Sequence, residues 1–294
     1  MKKITFLVLL VALMVGVSAS TNLVNRAVQA AVDCVTEVVT PEDTVANRSF
    51  TDTTPLPAGT RWVEYNRGTG TGDFVVGPGT PPEGIGSFKT VTPDGNAKVT
   101  LFNYEHTGTK LADINALGYA TYRDTSSTAT VNQVPAINIE IDRNGGTLET
   151  GDYAVLVFEP VYNTSQGPVV PGMWQQWDAY NDGEAIWWSS RAIPGVCAFS
   201  CFVTWDAILA ANPDATIVGG FGVNQGGGNA GLIAYSDALK IGTADSCVTY
   251  DFEPYEVASS QEGCKNGGWK TLKRANGSTF KNQGDCIQYV NTGK

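Results

Sequence analysis

The sequence predicts an all-β protein: a jelly-roll-like β-sandwich with one short helix and a small disulfide-closed C-terminal hairpin. Three observations carry this expectation. Apolar and polar residues alternate with period two in run after run, as half-buried strands require. Turn formers punctuate the runs, 33 glycines and 14 prolines in 294 residues, glycine permitting positive φ and proline fixing φ. Apolar residues make up 42% and charged residues 16% of the chain, enough to fill a core and far from a disordered composition.

Taken in order, residues 1–19 read as an export signal. Lys2 and Lys3 precede the apolar run 4–17, and Val17-Ser18-Ala19 fits the small-residue cleavage pattern, with Val28-Gln29-Ala30 as a later alternative. The apolar run is shorter than the roughly 20 residues that a helix needs to cross a bilayer. No second apolar segment follows, so the mature chain is expected to be secreted, extracellular or at the cell surface, without a membrane span.

The body of the sandwich is assigned to 33–254. Residues 61–66 (RWVEYN) alternate and end in the glycine-rich turn 68–72. Runs 85–91 and 97–103 flank Thr92-Pro93-Asp94-Gly95-Asn96, in which proline fixes φ and Asp-Gly tolerates the left-handed region. Residues 117–123 (LGYATYR) and 136–142 (AINIEID) show period-two alternation, whereas 153–158 (YAVLVF) is almost wholly apolar and reads as a central strand. Runs 216–223, 232–241 and 247–252 complete this series of nine; about twelve strands are expected in all, a closed barrel being the alternative architecture. One segment reads as a helix, WDAILAA at 205–211, with Thr204 to cap it and Asn212-Pro213 to stop it. Residues 255–294 read as an appendage, a hairpin with Ala275-Asn276-Gly277 at its tip.

Six cysteines in an exported chain imply disulfides. Fifteen full pairings exist, and spacing prefers one of them. Cys264 and Cys286 staple the appendage, and Cys197 and Cys201 close a tight loop. Cys34 and Cys247, which open similar runs, then lock the two ends of the sandwich together.

Charge narrows the partners. The whole chain carries −10, yet 255–294 hold Lys265, Lys270, Lys273, Arg274, Lys281 and Lys294 against only Glu256, Glu262 and Asp285. The body is therefore strongly acidic and repels phosphate backbones, which argues against nucleic acid as a partner.

Catalytic signals are sparse. His106 is the one histidine, and no GxSxG nucleophile elbow accompanies it. Glu140 and Asp142 lie two apart on one strand face, which gives a glycoside hydrolase with two carboxylates as an alternative function. The turn from Asp178 through Asp182 to Glu184 offers hard oxygen ligands for a structural calcium, although Tyr180 interrupts the calcium-loop pattern.

Aromatic residues are the stronger signal. Five of the seven tryptophans (Trp174, Trp177, Trp187, Trp188 and Trp205) fall within 153–205. In a strand, Trp187 and Trp188 must face opposite ways. Trp174, Trp177, Trp187 and Trp188 are candidates for stacking on sugar rings, and Asn224, Gln225 and Asn229 of the glycine-rich run 219–231 are candidate amide partners for sugar hydroxyls.

The phrases KVTLFNYEHTGTKLADI, LVFEPVYNTSQGPVV, WQQWDAYNDGEAIWWSS and GGFGVNQGGGNAGL resemble a family of secreted bacterial β-sandwich proteins. The tail CKNGGWKTLKRANGSTFKNQGDC resembles a short Cys-bounded tail on other exported bacterial proteins. This resemblance implies export and a bacterial source and brings no activity with it. More loosely, the expected sandwich is similar to concanavalin-like lectin and glucanase jelly rolls. The expected function is non-catalytic binding of a polysaccharide or cell-envelope polymer without a cofactor. A structural or adhesive envelope protein is a further alternative.

Overall fold

Fifteen strands and two α-helices form among residues 33–294, the part of the chain that the computed structural model describes. The export segment 1–19 and the later cleavage site at Ala30 lie outside these residues. In chain order the strands are β1 (Val35–Val39), β2 (Thr44–Ser49), β3 (Trp62–Arg67), β4 (Thr71–Val76) and β5 (Gly86–Thr92). Then come β6 (Lys98–Asn103), β7 (Ile114–Arg123), β8 (Ala136–Asp142), β9 (Tyr153–Phe158) and β10 (Trp174–Asp178). The last five are β11 (Ile186–Ser189), β12 (Val203–Thr204), β13 (Thr216–Gly226), β14 (Leu232–Thr243) and β15 (Cys247–Phe252). Helix α1 spans Trp205–Ala211 and α2 spans Gln283–Thr292.

Two mixed sheets result. The eight-stranded sheet runs β12-β11-β9-β8-β13-β6-β3-β2, with its last pair parallel. In the seven-stranded sheet β14 is the spine: β7 runs antiparallel along one side, with β10 beyond it. The other side of β14 is shared, residues 232–236 pairing with β5 and residues 239–242 with β15. β4 lies outside β5, and β1 lies parallel outside β15. A bulge between Asp237 and Lys240, with Ala238 at φ 52°, marks the changeover. There the start of β5 and the end of β15 meet opposite one point of β14.

Alternation decides what lies between the sheets. Ile137, Ile139 and Ile141 of β8, Val99 and Leu101 of β6, and Leu117 and Tyr119 of β7 all enter one apolar cluster. Each such side chain contributes about 1.5–3 kcal/mol by leaving water. Trp62 of β3 crosses from one sheet to the other, meeting Tyr250 edge-on at 4.8 Å and Phe252 at 5.5 Å. The helix expected at 205–211 forms with those bounds, the Thr204 hydroxyl accepting from the Ala207 N–H.

The disulfides pair Cys34 with Cys247, Cys197 with Cys201 and Cys264 with Cys286, leaving no free cysteine among the described residues. The first bridge follows from register: β1 and β15 are parallel with Val35 opposite Val248, which sets the two preceding cysteines side by side.

The tail keeps its expected disulfide-closed hairpin and adds a second helix to the one expected. Its tight turn is present, Arg274 N–H donating to Ser278 O at 2.9 Å and Gly277 N–H to Arg274 O at 2.7 Å. The chain returns as far as the antiparallel bridge between Lys273 and Thr279 and then enters α2. Asn282 caps this helix by accepting from the Asp285 N–H at 2.9 Å, and Gly293 at φ 70° ends it. Cys264, Leu272, Phe280 and Cys286 form a small core of their own with Ala258.

Candidate functional site

The outer face of the seven-stranded sheet carries a row of rings that register alone creates. Trp174 lies opposite Tyr122, and Tyr122 opposite Tyr235. Directly opposed residues share a face, so the three rings stand side by side on β10, β7 and β14. Successive centroids are 5.8 Å apart, Trp174 to Tyr122 and Tyr122 to Tyr235. All three rings are half-buried, leaving a flank of each open to solvent. The indole N–H of Trp174 donates to Pro78 O at 2.8 Å, fixing the ring's rotation.

Polar groups border the row. Lys89 of β5 faces Tyr235 across the strand pair, its Nζ 5.8 Å from the ring centroid. The Tyr235 hydroxyl lies 3.4 Å from Asp124 Oδ2. Hydrogen bonds from the Ser126 side chain and backbone hold the Asp124 carboxyl below its usual range. One row further on, a cleft of about 200 Å³ is lined by Glu83, Gln176, Lys240 and Thr249 among others. Rings for stacking and mixed donors and acceptors therefore share one surface. A larger hollow of about 580 Å³ lies between β1 and the tail, lined by Glu37, Glu42, Asp43, Glu256 and Lys273 among others, with Tyr255 as its ring.

Of the residues expected to bind, Trp174 alone stands in this row. Trp188 is half-buried on the outer face of the other sheet, its Nε1 donating to Glu159 Oε2 at 2.8 Å. Trp177 is three residues from Trp174, an odd step in a strand, and so points inward. It is 2% exposed and donates to Thr121 Oγ1 at 2.8 Å. Trp187 is wholly buried and donates to Ala179 O at 2.9 Å. Neither ring can reach a ligand from the surface.

The amides correct the reading of the glycine-rich run in the same way. β13 continues through Gly226, so Gln225 is a strand residue on the inner face. Its Oε1 accepts from Thr90 Oγ1 at 2.6 Å, and its Nε2 donates to Thr92 Oγ1 at 2.9 Å and Leu232 O at 3.0 Å. Gln225 is thus a polar bridge between the sheets. Asn229 is buried too, its Oδ1 accepting from the Gly226 N–H at 3.0 Å within the β13–β14 turn. Asn224 is half-buried on the outer face of the eight-stranded sheet, between Thr100 and Ala136.

The candidate catalytic and metal residues are engaged elsewhere. Asp142 is 1% exposed, and its Oδ1 accepts from the Asn144 N–H at 3.0 Å. Glu140 accepts from the Tyr153 hydroxyl at 2.6 Å and from the Gly220 N–H at 2.7 Å. A buried turn-capping carboxylate cannot meet a substrate, so the pair does not form an open acid and nucleophile. His106 bonds the Tyr250 hydroxyl at 2.9 Å through Nε2 and meets Phe221 edge-on, and burial lowers its pKa. Asp178 caps its own turn, Oδ1 accepting from the N–H groups of Tyr180 and Asn181. Asp182 and Glu184 do not join it: among the described residues no three His, Cys, Asp or Glu side chains converge as a metal site.

Tyr122 and Tyr235 are the site residues that sequence reasoning passed over. Parity was the available signal for Tyr122, because Leu117 and Tyr119 claim the inner face and leave Tyr122 outside. Nothing local places Tyr235 beside it. The chain matches no family model, no curated protein and no solved structure.

Proposed function

We propose that this chain is an exported, non-catalytic binding module for a polysaccharide or cell-envelope polymer, held at the outer face of the seven-stranded sheet. The observation that carries the reading is the half-exposed row Trp174–Tyr122–Tyr235 with mixed polar groups along its border. Faces of sugar rings are apolar enough to stack on aromatic rings, while their hydroxyls seek donors and acceptors at the edge. Lys89, Asp124 and Gln176 supply such groups. Three neighbouring strands give the rings a spacing near the strand repeat, which suits an extended chain lying across the strands. Three disulfides support export, and no helix among the described residues is long and apolar enough to cross a membrane.

The test is retention of the oxidised chain on cellulose, chitin, xylan and peptidoglycan, with released reducing sugar assayed in the same tubes. Retention without release is expected on at least one polymer. Trp174→Ala and Tyr122→Ala should each weaken it about tenfold, the equivalent of 1.4 kcal/mol. Retention that is indifferent to both substitutions, or none on any polymer, would refute the reading. Sugar release lost in Glu140→Gln would establish a hydrolase instead.

A further inference from the structure

Where β5 and β15 meet opposite the β14 bulge, three carboxyl groups are buried under the 77–86 loop. Asp237 on β14 and Asp251 and Glu253 at the end of β15 all lie on the outer face, 0%, 6% and 3% exposed. Two of them hold the loop. Asp237 Oδ2 accepts from the Glu83 N–H at 3.0 Å, and Glu253 Oε1 accepts from the Ile85 and Gly86 N–H groups at 2.5 and 2.8 Å. Asp237 Oδ1 accepts from the Phe252 N–H at 3.1 Å, tying β14 to β15. Gly84 fits above them only because it lacks a side chain: a Cβ there would fall 1.9 Å from Glu253 Oε1 and 2.9 Å from Asp251 Oδ1.

Asp251 Oδ1 and Glu253 Oε2 are buried and meet no donor. Ionised carboxylates only accept, so two of them side by side require a proton between them. The surroundings add more negative charge than they remove. Glu83 on the loop acts on Asp251 with the same sign, and Tyr255 lies beside Glu253. Lys240 shares the neighbouring cleft with Glu83, β7 and β10 bring the uncharged Gly118 and Gln176, and Lys89 stands over Tyr235 in the next row. Burial first, and then neighbouring carboxylates, raise Asp251 to about 8. Burial raises Asp237 to about 7 despite three backbone hydrogen bonds that oppose it. Glu253 is raised by burial as well.

The same loop reaches the aromatic row. Its Pro78 carbonyl accepts the Trp174 indole proton, and Asp237 is two residues from Tyr235 on the same strand and face.

We propose that Asp237, Asp251 and Glu253 form a proton-operated latch that fixes the 77–86 loop, and through it the Trp174 ring, so that ligand binding weakens as the cluster loses its protons. The binding half of this inference rests on the function proposed above; the latch does not. The sign follows from linkage. With folded-state pKa values above those of the unfolded chain, the closed form holds more protons between the ordinary carboxylate range, about 4, and about 8. The stability of the closed loop is therefore full at the acid end of that window and declines as pH rises through it. Above it, the carboxylates repel one another and Glu83.

Hydrogen exchange of the full oxidised chain at pH 6 and pH 9, corrected for intrinsic rates, reads the latch without any ligand. Peptides covering 77–86 should exchange at least tenfold faster at pH 9, while β8 and β9 stay protected. Asp251→Asn, whose amide can donate permanently to Glu253, should remove the difference, and Asp237→Asn should reduce it. Equal protection at both pH values, or a difference that persists in a folded Asp251→Asn chain, would overturn the proposal. Affinity for whichever polymer is retained should fall about tenfold from pH 6 to pH 9 in the native chain and stay level in Asp251→Asn. Switching exchange with no polymer retained at either pH upholds the latch and removes the polysaccharide reading. Retention with neither exchange nor affinity changing does the reverse.

Discussion

Trp174 and Trp177 are the same residue type three positions apart, and a strand gives them opposite work. One presents a ring to solvent with its N–H pinned by Pro78, while the other fills the core and spends its N–H on Thr121. Gln225 shows the same economy: a long buried amide on the inner face finds partners in two threonines and a carbonyl of the facing sheet. Gln225→Leu should accordingly cost about 1–3 kcal/mol, the penalty for buried groups left unpaired, seen as a lower urea midpoint. The folded fraction should hold its ligand as before. An unchanged midpoint would show that the bonds the Thr90 and Thr92 hydroxyls already donate to Ala234 O and Asn229 O suffice without the amide.

At the level of single elements, β13 is shaped by close approach. A Cβ on Gly222 would sit 1.9 Å from Leu101 O, which is backbone of the neighbouring strand and cannot swing aside. Gly222→Ala should force β13 from β6 and destabilise by at least about 1–3 kcal/mol, the range for overpacking. Gly228→Ala, in the open turn with only Gln133 Nε2 at 3.9 Å, is the matched control and should be near neutral in thermal unfolding. Equal effects would mean that β13 can move away from β6 at little cost. The bulge on β14 is a second shaping device. By changing partners there, the strand turns Asp237 toward the loop and keeps Tyr235 in the row.

Across the whole molecule, the Cys34–Cys247 bridge joins the parallel edge pair β1–β15 and closes a loop of 213 residues. On the chain-entropy model such a cross-link restricts the unfolded chain by about 5 kcal/mol. The double substitution Cys34→Ala, Cys247→Ala should therefore lower the thermal midpoint clearly. Removing Cys197–Cys201, with a separation of 4, should lower it much less. The reverse order would place the stabilisation in native-state contacts of the small loop. The same edge faces the hollow shared with the tail, so the bridge also fixes the ground on which the tail rests.

Much of this architecture could be read from covalent neighbours. The bounds of β8, β9, β15 and α1 follow from alternation, apolar runs and a Thr cap, because each depends on residues within one turn or a few strand steps. The disulfide pairing followed from spacing and from the likeness of the runs after Cys34 and Cys247. α2 was hidden because Asn-Gln-Gly resembles a turn as readily as a capped helix start. Trp174 could be singled out from sequence, but the aromatic row it joins and the buried carboxyl cluster could not. Trp174, Tyr122 and Tyr235 become one surface, and Asp237, Asp251 and Glu253 one cluster, only through the pairing of distant strands about β14. Strand period determines which side of a strand a residue takes, and the sequence carries that period locally. Which strands lie side by side is decided by the burial of the whole core, so the neighbours of a surface ring or a buried carboxyl belong to the tertiary structure alone.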